Sequence, residues 1–84
     1  MASLREQKLT AMPPGSRAVV ANILAGPGLK SRLMQMGIVP GEVVEVVSNG
    51  PGPILVRIRG VVIALGRGVA DKITVHPYKE DSSL

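Results

Sequence analysis

Apolar residues recur along this chain at two periods, and the change of period marks out its elements. Ile54, Val56 and Ile58 alternate with Leu55, Arg57 and Arg59, the two-residue repeat of a strand with one buried face. The same alternation, with Val44 and Val46 inward, runs through residues 42–48, and Ile73 and Val75 alternate with Thr74 and His76. Residues 17–24 read as an earlier strand with imperfect alternation, and residues 61–65 as an apolar one. Between the first two strands the period lengthens. Leu29, Leu33 and Met36 stand at i, i+4 and i+7, which places them on one face of a short helix over 29–36 and turns Lys30, Ser31 and Gln35 away. Gly37 follows where a residue of positive φ ends a helix, and Pro40-Gly41 forms a turn. Residues 66–72 form a short turn or a single helical turn.

Five short strands, one short helix and Gly/Pro-rich turns within about 60 residues predict a mainly β fold. The expected architecture is a small five-stranded SH3-like barrel, partly open, with the helix between strands one and two covering one end. Leu29, Leu33 and Met36 should seal it. Curling the sheet reduces the exposed edge that invites aggregation. The chain divides into an N-terminal lead (1–14), the domain itself (15–76) and a polar C-terminal tail (77–84) expected to fray.

Composition narrows the means of stabilisation. The 84 residues contain no Cys, Phe or Trp and a single Tyr, yet 45% are hydrophobic. Disulfides and thiolate metal sites are excluded, so aliphatic packing must hold the fold together. The longest apolar run, 61–65, is far short of the roughly 20 residues that span a bilayer. The first ten residues lack the apolar stretch of a secretory signal. A soluble protein is therefore expected. The net charge of +4 lies on the body of the chain, because the cations and carboxylates of the two ends cancel.

Spacing across the whole domain adds a more specific indication. Arg32-Leu-Met-Gln-Met-Gly-Ile-Val-Pro-Gly41, followed at once by an alternating Val strand, resembles the signature of the FeoA-type family. Pro14-Gly15-x-x-Ala18-x-Val20-x-x-Ile23 upstream is similar to that family's first strand. Pro53-x-x-Val56-x-Ile58-x-Gly60-x-x-Ile63-Ala64-Leu65 and Ala70-x-x-Ile73-x-Val75 are similar to its closing half. The resemblance implies an SH3-like barrel. It also implies a cytoplasmic companion of FeoB, a large membrane ferrous-iron transporter with a GTP-binding domain. The same domain type occurs in metal-responsive regulators of the DtxR kind, but this chain has no room for their DNA-binding helices.

Candidate chemistry is sparse. The single His, His76, is read as an ordinary surface residue, and no carboxylate is spaced with it as a ligand. The Met residues are read as packing. Neither a metal site nor any cofactor is expected. Catalysis is not expected either: one His serves every Ser, and Glu42 and Glu45 fall on opposite sides of a strand. Gly26-Pro-Gly28 and Gly66-Arg-Gly68 lack the spacing of a phosphate loop.

Recognition of another macromolecule remains. A partner-contact surface is expected on the outer face of the helix, at Lys30, Arg32 and Gln35, and on the loop that begins at Asn49. Arg32 and Arg67 are candidates for an arginine that reaches into a partner's site. The alternative is a basic barrel that binds RNA or the ribosome through a stripe of Arg57, Arg59, Arg67 and Lys72. It is disfavoured by the absence of aromatic residues for base stacking. An unclosed barrel edge also leaves open pairing with a second copy.

Overall fold

A computed structural model describes residues 5–78. The long strands come from the alternating segments: β2 (Arg17–Ile23), β3 (Val43–Ser48), β4 (Ile54–Ile58), β5 (Val61–Leu65) and β6 (Ile73–Pro77). Helix α1 (Pro27–Gln35) joins β2 to β3, and the single-turn α2 (Arg67–Ala70) joins β5 to β6. A short first strand, β1 (Gln7–Lys8), precedes a 3-10 turn (Leu9–Ala11). All six strands form one antiparallel sheet in the order β1-β6-β2-β3-β4-β5. Its two ends, β1 and β5, are not paired to each other, so the curled sheet is open.

Side-chain alternation puts the core inside the curl. Val44 and Val46 of β3, Ile54, Val56 and Ile58 of β4, and Ile73 and Val75 of β6 are all buried. The imperfect alternation of the first long strand has a structural cause. Val20 pairs with Val75 but Asn22 pairs with Thr74, so Ala21 is an extra residue and the buried positions become Ala18, Val20 and Ile23. A second irregularity, between Val46 and Ser48, leaves Val47 exposed. Such bulges sharpen the local twist and help a short sheet to curl.

The end of α1 follows directly from the sequence Leu33-Met-Gln-Met-Gly-Ile38. The Ile38 N–H donates to the Leu33 carbonyl and the Gly37 N–H to the Met34 carbonyl, each at 3.0 Å. These are the two bonds of a Schellman motif, and its usual apolar contact joins Leu33 and Ile38, both buried. Gly37 has φ 98°, and a Cβ built there would stand 3.3 Å from Ile58 Cγ2. Gly37→Ala is therefore expected to lower stability by about 1–2 kcal/mol, from the left-handed backbone alone. The tight contact adds to this. Urea unfolding of the two proteins measures it, and equal midpoints would contradict the account.

Two expectations need correction. The domain does not begin at residue 15. The segment before it supplies the sixth strand and two core side chains, Leu9 and Met12, since Gln7 and Lys8 pair with Val75 and Thr74. At the other end Pro77, assigned to the tail, pairs with Ala18 in β6. The remainder of the expected tail, from residue 79, lies outside the described residues. The second correction concerns the seal. Leu33 enters the core and Leu29 packs partly against it, but Met36 is 41% exposed.

Candidate functional site: the helix α1 and its groove

Helix α1 is short and begins on Gly26-Pro27, with Pro27 in the first turn, where its missing N–H breaks no helical bond. Leu29, Arg32, Leu33 and Met36 share the side of the helix that faces the sheet. Across from them stand Ala64 and Leu65 of β5, Gly66, and Val69 of α2. Between these walls lies an open groove of about 260 Å³, lined mainly by apolar atoms. Arg32 is its one charged lining residue. The exposed side of α1 carries Lys30, Ser31 and Gln35, with Met34 beside them. Neither Lys30 nor Arg32 forms an ion pair within the described residues.

The structure places Asn49 and Arg67, both expected to meet a partner, in hydrogen bonds within the chain. The Asn49 amide donates through Nδ2 to the carbonyls of Thr10 (3.0 Å) and Met12 (2.7 Å). Its Oδ1 accepts from Arg67 Nη2 at 2.6 Å, while Arg67 Nη1 donates to the carbonyls of Gly50 (2.7 Å) and Gly52 (3.0 Å). Both side chains are thus used inside the molecule. They tie the 49–52 loop to α2 and to the N-terminal strap. The strap is held further by Thr10 Oγ1 donating to Asp71 Oδ1 and by Asn22 Nδ2 donating to Glu6 Oε2. Of the residues expected to meet a partner on the outer face of α1, Lys30 and Gln35 lie on its exposed side, whereas Arg32 lines the groove; Asn49 and Arg67 form a separate brace.

The same accounting reduces the basic stripe. Arg57 pairs with Glu45 at 2.8 Å and Arg59 with Glu42 at 3.0 Å. The hydrogen bond from Arg59 and the charge of Glu42 raise the Arg59 pKa further above its already high ordinary value. Strand register sets Arg17, Glu45 and Arg57 side by side on the outer face, so cation and carboxylate alternate across the sheet. Arg67 is bound to uncharged oxygens of the loop, so of the four residues assigned to phosphate contact two are paired with carboxylates.

His76 is half-buried rather than an ordinary surface residue. It lies opposite Val19, and its Nδ1 is buried without a hydrogen-bond partner in the described part of the chain. No three His, Cys, Asp or Glu side chains come together as a metal site among the described residues. No helix in that part is long and apolar enough to cross a membrane. The groove wall formed by Ala64, Gly66 and Val69 went unrecognised in the sequence. Its one available signal was the uncharged run 61–65, which reads equally well as a buried strand.

A curled six-stranded sheet with one helix set between its first two long strands defines an SH3-like barrel domain. The FeoA domain model matches residues 7–77. The Fe(2+) transport protein A of Methanocaldococcus jannaschii is 43% identical over 61 residues, 73% of this chain and 74% of that protein. A crystal structure of the iron uptake regulatory protein FeoA superposes with a TM-score of 0.83 at 35% identity, covering 88% of this chain and all of that one. The solution structure of FeoA from Chlorobium tepidum gives 0.80 at 34% identity, over 92% and 75% of the two chains. The chain belongs to the FeoA domain family, the accessory proteins of ferrous-iron transport.

Proposed function

We propose that this protein is a cytoplasmic, non-catalytic accessory of ferrous-iron uptake. It acts by binding the cytosolic region of a FeoB-type membrane transporter, which carries the GTP-binding domain. The exposed side of α1 at Lys30 and Gln35, together with the groove rim at Arg32, makes the contact. The observation that carries this reading is the distribution of charge: Arg57 is paired with Glu45 on the neighbouring strand and Arg59 with Glu42 just before that strand, whereas Lys30 and Arg32 have no ion-pair partner among the described residues. Uncompensated cations beside an apolar groove suit a partner surface that is acidic at its rim and apolar at its centre. Among the described residues no nucleophile with a positioned base accompanies them, and the proposed role is one of recognition.

Replacing Lys30, Arg32 and Gln35 together by Glu, Glu and Ala tests it. All three are exposed, so the fold should survive. Affinity for the purified cytosolic region of the transporter, measured by calorimetric titration, should fall by about tenfold or more, with a slower association rate. Unchanged affinity would remove this surface from the function.

A further inference from the structure

The unpaired edge of β5 runs into the groove opposite α1. Its chemistry is that of a strand awaiting another strand. Arg59 (φ 53°) and Gly60 (φ 82°) form a two-residue hairpin turn with positive φ at both positions, closed by the pair Ile58 and Val61. In such a hairpin the closing pair is hydrogen-bonded, and bonded pairs then alternate along the ladder. Val61, Ile63 and Leu65 therefore exchange bonds with β4, while the N–H and C=O of Val62 and Ala64 point outward. The outer edge of β5 pairs with no strand among the described residues. It also lacks the Lys, Pro or inward charge by which edges are commonly protected. Val61 and Val62 are 59% and 48% exposed.

Resting on the functional reading above, we propose that the partner contributes an extended, apolar segment bearing an acidic residue. This segment adds to β5 as a seventh strand between β5 and α1. Its backbone pairs with Val62 and Ala64. One apolar side chain occupies the groove between Leu33, Met36 and Val69, and its carboxylate meets Arg32. Charge selects this occupant over a second copy of the chain: the groove's one charged lining residue is a cation, and a second copy brings a further net +4 against the first.

The test uses the full chain labelled with 15N, titrated with overlapping synthetic peptides that span the transporter's cytosolic region, and in parallel with that intact region. One acidic, apolar peptide should shift the amide signals of Val62 and Ala64 and slow their hydrogen exchange. Two variants attack the site separately. Ala64→Pro removes an outward N–H that the β4 ladder does not use. Gly66→Leu fills the groove; Gly66 has an ordinary φ of −60°, and a Cβ there meets nothing within 4 Å, so the fold accommodates it. Each should weaken both peptide and intact region by about tenfold, the scale of one lost hydrogen bond or one excluded side chain. If Ala64→Pro fails to fold, Gly66→Leu decides. If the intact region binds both variants as tightly as the parent, strand addition is overturned and the broader function stands. If it does not bind the parent chain at all, both fall. Protection of Val62 and Ala64 that grows with the concentration of the chain alone would assign the edge to a second copy and overturn the proposal.

Discussion

Leu9→Ala should unfold much of this protein's stability, although Leu9 lies in what the sequence presents as a lead. The side chain is 1% exposed and belongs to the single core cluster. The 3-10 turn that carries it packs on both α2 and β6. Truncating a buried Leu to Ala costs about 2–5 kcal/mol, from lost transfer free energy and from the cavity left behind. A domain this small has a stability on the order of several kcal/mol, so that loss is a large share of the total. Urea unfolding monitored by circular dichroism should show a midpoint displaced far toward low denaturant. A change below about 0.5 kcal/mol, the size expected of an exposed site, would show that the strap is not part of the core.

Asn49→Ala should be the second most damaging single change, for a different reason. From the 49–52 loop, Asn49 bonds both the strap and Arg67 of α2. Removing it leaves the Thr10 and Met12 carbonyls and one Arg67 nitrogen without these partners. Unpaired, partly buried polar groups cost about 1–3 kcal/mol each, and those that water can reach cost less. A total of about 2–3 kcal/mol is expected on that basis. The loss should be regional. Hydrogen exchange at β1 and the following turn should rise well above exchange in β3 and β4, because strap release becomes a local opening. Asn49→Asp separates the contributions. It keeps the acceptor for Arg67 and loses both donors, so it should release the strap while the loop stays joined to α2. Exchange rates for the strap that match the parent in both variants would contradict the brace.

Both predictions concern residues that the linear sequence marked weakly or not at all, and the reason lies in the range of the forces involved. Val44, Val46, Ile54, Val56 and Ile58 were legible because burial on one face of a strand imposes a repeat of two, visible within six residues. Gly37 was legible because a helix end with positive φ imposes a residue type at one position. The segment holding Leu9 and Met12 offers too few residues to display a period. Its burial depends on β6, more than 60 positions later. Asn49 in a Gly/Pro loop reads as a turn residue, and its true partners lie 37 and 39 residues earlier. The alternative of a basic stripe met the same limit. Arg57 is outward, as alternation requires, but only strand register sets Glu45 against it, and Arg59 meets Glu42 from the hairpin turn that follows β4.

The candidate site divides along the same line. The seven-residue recurrence of Leu29, Leu33 and Met36 placed Lys30 and Gln35 on the opposite, exposed side of α1, and the structure agrees. It did not reveal that α1 stands off from β5, leaving Met36 partly exposed and a groove where a seal was expected. Helical spacing states which side chains share a face. How far that face stands from its neighbour is set by the volumes of residues brought in from β5 and α2.

By itself the sequence determined the kind of fold, the order of its main elements and the reliance on aliphatic packing, since periodicity, turn chemistry and residue volume act locally. Tertiary structure decided which cations remain uncompensated, where the packed unit begins, and that one strand keeps an unpaired edge beside the groove. Those outcomes depend on pairings between segments far apart in the chain, and neither the period nor the composition of a single segment specifies its partner.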